Sequence, residues 1–121
     1  MKLVIIESPY AGEVKENVAY ARKCVRDCLC RDEAPIASHL LFTQEGILDD
    51  GIEAERRLGI NAGLAWVSKA DTVVVYVDRG ISSGVKGGIK AAKDAGVPIE
   101  FRSLDGLTKP DEIERIKAEH G

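Results

Sequence analysis

Four short apolar runs divide the chain, and three of them are rich in β-branched residues. They cover residues 2–6, 34–38, 71–77 and 97–101. Apolar runs without alternating polar residues are typical of strands buried on both faces of a parallel sheet. The second run is short, and its place between two helical segments assigns it to a strand. We therefore predict four strands, with Pro98 near the start of the last one.

Between the first two runs the apolar residues recur at helical spacing. The stripe consists of Val14, Val18, Ala21, Val25 and Cys28. This spacing predicts an amphipathic helix over residues 13–30. A second helix is expected to start from a cap at Asp49 or Asp50 and to end near Val67, after a loop over residues 39–46. Its inward positions would be Ile52, Arg56, Ile60, Gly63, Leu64 and Val67.

Two more helices follow the third and fourth runs. The third helix follows the turn at residues 80–84 and ends at Ala95-Gly96, and the last begins near Thr108–Asp111, with Pro110 in its first turn. The alternation of strand and helix implies right-handed crossovers and helices on both faces of the sheet. We predict an α/β fold: a single-domain, three-layer, parallel sheet of four to five strands, flavodoxin/Rossmann-like, over residues 1–121.

In such a sheet, ligands bind at the carboxyl ends of the strands. The loops at these ends are expected at residues 7–12, 38–46, 78–84 and 102–107. The first and third are the most informative, because Ser8, Tyr10, Ser82 and Ser83 supply hydroxyl groups. Each of these residues taken singly has a structural explanation, such as a helix cap or a loop anchor, but together they predict a site.

The segment Gly80–Ala92 carries the most specific signal. It leads from the third strand into a helix, whose N-terminus attracts anions. Gly87 and Gly88 weaken the helix by about 1 kcal/mol each relative to alanine, and Lys86 opposes the helix dipole. A bound ligand would compensate for both costs. We therefore predict a phosphate at residues 82–86 and a planar ring against Tyr10 or Phe42.

Composition and charge narrow the function classes. The net charge of −3 and the lack of a basic stripe argue against binding to a nucleic acid polymer. No apolar run approaches the ~20 residues of a membrane span, so no membrane partner is expected and the cytoplasm is the default location. Cys24, Cys28 and Cys30 are interpreted as buried free thiols rather than as a disulfide framework or as a metal site with His39. We expect no metal and no cofactor.

The sequence resembles the nucleoside 2-deoxyribosyltransferase-like family, which includes nucleotide N-glycoside hydrolases and small phage proteins of unassigned function. The resemblance covers most of the chain. It rests on residues 6–12 with Asn17, on residues 34–39, on Glu55-Arg56, on residues 70–75, and on residues 81–86 with 96–98. Each segment is weak alone, and their order and spacing are more specific.

The resemblance implies a catalytic glutamate in the helix after the third strand and a second acid near the end of the preceding helix. By spacing, these places fall on Gly88 and near Gly63, where no carboxylate stands. The leading hypothesis is therefore a non-catalytic protein that sequesters a nucleotide-derived molecule, such as an ADP-ribose-type signal. Because the family includes phage proteins, the resemblance suggests a viral source. A viral protein of this kind is expected in the cytoplasm of the host. The resemblance also implies a homo-oligomer.

The alternative is a nucleoside or nucleotide N-glycosidase, or a deoxyribosyltransferase, that uses Glu7 or Asp78 as a general base. A structural protein with a vestigial cleft is a third hypothesis. The predicted ligand-binding residues are Ser8, Pro9, Tyr10, His39, Phe42, Asp78, Ser82, Ser83, Gly84, Lys86 and Gly88.

Overall fold

A computed structural model describes all 121 residues and contains one four-stranded parallel sheet. The strands are β1 (Lys2–Glu7), β2 (Glu33–Ile36), β3 (Thr72–Tyr76) and β4 (Ile99–Arg102). Their spatial order is β2, β1, β3, β4, and every neighbouring pair is parallel. The α/β, Rossmann-like fold class is therefore confirmed, with four strands.

The chain has five helices. They are α1 (Val14–Cys30), α2 (Ser38–Leu41), α3 (Glu53–Ala65), α4 (Ser83–Ala95) and α5 (Pro110–His120). A short 3-10 turn, Val67–Lys69, leads from α3 into β3. None of the helices combines the length and the apolar character that crossing a bilayer requires.

The pleat of the two central strands sends alternate side chains into two separate cores. Val4, Ile6 and Tyr76 pack with α1 on one face. Ile5 and Val75 pack with α4 on the other. Because side chains alternate along a strand, Glu7 at the end of β1 points to the α4 side, as Ile5 does.

The crossovers leave β1 in opposite directions, since β2 and β3 lie on its two sides. A ligand cleft is expected at such a reversal, beyond the carboxyl ends of the strands. The carboxyl ends of β1 and β3 are therefore the place to look for a site.

Helix α3 differs most from the sequence-based expectation. Ile52 and Ile60 were expected to face inward, but both are about half exposed, and Gly63 is the helix's one buried residue. The helix lies against α2 and the 3-10 turn rather than flat on the sheet, so its apolar stripe has little sheet to cover.

The local boundaries near α3 differ too. Ile52 precedes the helix without a side-chain cap, so neither Asp49 nor Asp50 caps it. Residues 38–41, which were expected in a strand end and a loop, form the short helix α2. A single helical turn has no repeat from which a hydrophobic period could be read.

Candidate functional site

A cavity of about 350 Å³ opens at the carboxyl end of β1. The loop after β1, the short helix α2, helix α3 and the N-terminus of α4 enclose it. Its lining residues are Glu7, Ser8, Tyr10, Ala11, Ser38, His39, Phe42, Leu48, Asp50, Glu55, Arg56, Gly59, Ile60, Gly63, Leu64, Ser82, Ser83, Gly84 and Gly87.

Asn17, buried on α1, holds the loop after β1 in place. Its amide nitrogen donates to the carbonyl oxygens of Tyr10 and Ala11, at 3.1 and 3.2 Å. Its amide oxygen accepts a 2.6 Å hydrogen bond from Arg79 Nε, in the loop after β3. One side chain therefore ties the two loops that the sequence singled out.

A polar pair forms the wall of the cavity beside β1. Ser8 Oγ lies 3.0 Å from His39 Nε2, within hydrogen-bonding distance. The His39 ring meets the Tyr10 ring edge-on, with 6.3 Å between their centroids. Burial lowers the pKa of His39 to about 4, so this imidazole is neutral at pH 7.

The N-terminus of α4 presents free amide groups to the same cavity. Ser82 caps the helix, because its hydroxyl accepts a hydrogen bond from Val85 N. The N–H groups of Ser83 and Gly84 donate to no group of the chain. Free N–H groups at a helix N-terminus, with the positive end of the helix dipole, can hold an anion.

The Glu7 side chain occupies a notch in α4. A methyl group added at Gly88 would lie within 2.7 Å of all three atoms of the Glu7 carboxyl. That carboxyl makes no hydrogen bond and no ion pair within the chain. Burial raises its pKa to about 8. The space left at Gly88 is thus filled by a carboxyl from another element.

Two glycines of α3 allow equally close contacts. A methyl group at Gly63 would lie 2.5 Å from Ser38 Oγ, and one at Gly59 would lie 3.1 Å from a methyl carbon of Leu48. The place where the resemblance implied a second acid is therefore adjacent to a serine hydroxyl.

The structure brings most of the predicted ligand-binding residues to this cavity, but not all. Pro9 and Gly88 are buried outside its lining, and Lys86 lies in a separate surface depression beside α5. Asp78 also lies in that depression, and Tyr20, Ser103, Thr108 and the Leu104 amide all donate to its carboxylate. Those bonds lower the pKa of Asp78, as in a structural carboxylate rather than a base facing a cavity.

Beyond His39 and Phe42, sequence reasoning assigned no ligand-binding role to the wall that α2, α3 and the segment between them form. This wall includes Ser38, Leu48, Asp50, Ile60 and Leu64. The sequence did contain one signal, the small residues Gly59 and Gly63 one helical turn apart. They indicate that another element packs closely on α3, but they do not show which element it is.

No group of three or more His, Cys, Asp or Glu side chains in the chain converges to hold a metal ion. Cys24 and Cys28 are buried in the core beneath α1, and Cys30 is exposed; all three are free thiols. His39 lies in the cavity instead.

The chain has been compared with known proteins. The model of a family described as "Domain of unknown function (DUF7768)" matches residues 2–102. No curated protein matches the sequence. Among solved structures, a 2-deoxyribosyltransferase from the psychrotolerant bacterium Bacillus psychrosaccharolyticus matches with a TM-score of 0.61 and 18% identity, over 92% of this chain and 79% of that one. That enzyme is described as a biocatalyst for the industrial synthesis of antiviral and antitumoral nucleosides. At this identity the match shows the fold.

Proposed function

The chain belongs to the family described as "Domain of unknown function (DUF7768)", and we propose that it binds a nucleoside-derived small molecule in the cavity at the end of β1. We also propose that residues 1–121 form one nucleoside 2-deoxyribosyltransferase-like domain. The observation that carries this proposal is that one cavity is lined both by free N–H groups, at Ser83 and Gly84, and by aromatic side chains. The fold it shares with a 2-deoxyribosyltransferase supports the same ligand class.

The ligand's parts fit different walls of the cavity. A phosphate suits the N-terminus of α4, where two amides have no partner. A planar base suits Tyr10 and Phe42, which also line the cavity. The hydroxyl of Ser8 and the neutral ring of His39 can exchange hydrogen bonds with a sugar.

In the sequence, the absence of a carboxylate at Gly88 indicated that the protein binds its ligand without cleaving it. Glu7 places a carboxyl in that space, so the argument from an absent charge no longer supports a non-catalytic role. Sequestration of an ADP-ribose-type molecule then predicts that intact ligand is recovered when a saturated complex is denatured. A homo-oligomer, a viral source and a cytoplasmic location stay predictions.

Binding is tested first by thermal shift with nucleosides, nucleoside monophosphates and ADP-ribose. A ligand at 100 times its dissociation constant adds about 2.7 kcal/mol to the free energy of unfolding. If no member of the panel stabilises the protein, and the purified protein releases no nucleoside derivative on denaturation, the proposal is wrong.

The place of the phosphate is tested with Gly84→Asp. A Cβ at position 84 would meet only Ser82 Oγ, at an ordinary contact distance of 3.9 Å, and an acid in the first turn suits the helix, so the fold should hold while the anion is repelled. We expect at least about tenfold weaker binding of a monophosphate, or about 1.4 kcal/mol, and a smaller change for the nucleoside. Lys86→Ala is the matched control on the same turn, outside the cavity, and should bind as the unmodified protein does.

A further inference from the structure

Glu7 and Gly88 fit together although they are 81 positions apart. The α4 helix carries a buried glycine where any larger residue would meet the Glu7 carboxyl. A neighbouring glycine, Gly87, has no atom within 4 Å of an added methyl group. The close fit is therefore specific to position 88, and the helix leaves room there for one carboxyl.

The carboxylate of Glu33, which is buried in β2, shows what a structural role demands. Glu33 receives two hydrogen bonds from the Arg102 guanidinium, at 2.7 and 2.6 Å. Glu7 receives none. The Glu7 carboxyl is partly exposed and lines the cavity, so its free hydrogen-bonding positions are open to a molecule that enters the cavity.

The groups around Glu7 leave it free to act on a ligand. His39 approaches from α2 as a neutral ring, and α4 offers only amides and hydroxyls. From α3, Arg56 and Glu55 line the cavity, but Arg56 Nε lies 3.9 Å from Asp50 Oδ1 and neither residue pairs with Glu7. No protein cation therefore neutralises this carboxyl.

We propose that Glu7 is the catalytic carboxyl of the cavity and acts as general base in the hydrolysis of an N-glycosidic bond. This inference rests on the proposed function, because a nucleoside-derived ligand must occupy the cavity. The Glu7 carboxylate takes a proton from a water molecule, whose oxygen bonds to the anomeric carbon of the sugar. The C–N bond breaks, and its electron pair goes to the base nitrogen, which takes a proton from solvent. Glu7 then returns its proton to solvent.

One water is consumed and two products leave, the free base and the free sugar or sugar phosphate. A general base works best when its pKa is near the working pH, and burial brings the pKa of Glu7 to about 8. Since the ionised form is the active one, turnover should rise with pH until Glu7 is fully ionised.

The structure permits a test that moves the carboxyl from one element to the other. Glu7→Gln keeps the shape of the side chain and removes the base. Gly88→Ala keeps Glu7 but pushes its carboxyl out of the notch. The double variant Glu7→Ala/Gly88→Glu supplies a carboxyl from α4 to the same space.

The assay uses nucleosides and nucleoside 5′-monophosphates, with base release followed by chromatography and binding by thermal shift. We expect Glu7→Gln to bind within about threefold of the unmodified protein and to release base at least ~100-fold more slowly. Gly88→Ala should also lose turnover, and the double variant should exceed Glu7→Ala.

Two results would overturn this inference while leaving the proposed function intact: bound nucleosides that are never cleaved, or Glu7→Gln that cleaves at the unmodified rate. Absence of any binding would instead overturn the proposed function. If the double variant does not fold, which circular dichroism shows, Glu7→Gln and the pH profile still decide.

Discussion

Two carboxyl groups stand at the ends of the two central strands and have opposite surroundings. Glu7 is the last residue of β1, and Asp78 follows β3 by two positions. Asp78 accepts hydrogen bonds from Tyr20 Oη, Ser103 Oγ and Leu104 N at 2.7, 2.6 and 2.7 Å, and another from Thr108. Glu7 has no such partner, and its pKa is raised where that of Asp78 is lowered.

The difference comes from the face to which each side chain points. Asp78 is two residues beyond Tyr76, which faces α1, so Asp78 meets Tyr20 of that helix. Glu7 is two residues beyond Ile5, which faces α4, and so reaches the cavity. A carboxylate at the end of a strand is therefore a candidate for chemistry only on the face where the cavity opens.

The largest effect is expected from Asp78→Ala. It leaves the three hydroxyls of Tyr20, Ser103 and Thr108 and one backbone N–H without their acceptor. Because each unsatisfied group costs about 1–3 kcal/mol when buried, and this site is partly solvated, we expect a loss of about 3–5 kcal/mol in the free energy of unfolding. Urea denaturation measures it.

Glu45→Ala is the control for that experiment, because Glu45 is exposed and makes no hydrogen bond or ion pair in the structure. Its stability should change by no more than about 0.5 kcal/mol. If Asp78→Ala lowered the free energy of unfolding no more than Glu45→Ala does, the assignment of Asp78 to a structural role would be wrong. The contrast between Asp78 and Glu7 would then disappear.

The pH dependence of stability should have opposite signs for the two carboxyls. The lowered pKa of Asp78 stabilises the fold above the usual aspartate pKa, and this stability is lost as the pH falls through the folded value. The raised pKa of Glu7 has the opposite effect on the pH dependence of stability. Its contribution is fully present below the usual value of 4.5 and is lost as the pH rises through about 8.

Glu7→Gln isolates the Glu7 contribution, since glutamine does not ionise. At about 1.4 kcal/mol per pKa unit, and allowing for water in the cavity, we expect the variant to gain about 2–3 kcal/mol relative to the unmodified protein between pH 5 and pH 9. Urea denaturation at the two pH values measures it. If the stability difference between the variant and the unmodified protein were the same at pH 5 and at pH 9, burial would not be holding Glu7 in its neutral form.

The architecture could be predicted from the sequence because it depends on local patterns. The apolar runs located the strands, and helical spacing located α1 within one residue of its start. Helix α3 was located, but its buried face was not, because the helix lies across α2 instead of covering the sheet. Periodicity shows that a helix is amphipathic without showing which element it meets.

The site was predictable in part for a related reason. Strand ends indicate the edge of the sheet, so the loops at Ser8 and Ser82 were found. The pleat decides which face a residue at a strand end occupies, and the helical phase decides the direction of a residue on α4. Asp78 and Lys86 were therefore expected at the cavity, whereas the structure puts them beside α5. The fit of Glu7 into the notch at Gly88 joins distant parts of the chain, and no local pattern carries it.

The smallest expected effect compares the two neighbouring glycines of α4. Gly87→Ala should gain about 0.5–1 kcal/mol in the free energy of unfolding, because alanine favours the helix and the added methyl meets nothing. Gly88→Ala has the same helical gain but must displace the Glu7 carboxyl, so its gain should be smaller or absent. In a Glu7→Ala background the two glycines should become equivalent. The difference between backgrounds is a coupling energy between positions 7 and 88, and a value of zero would show that the carboxyl does not reside in the notch.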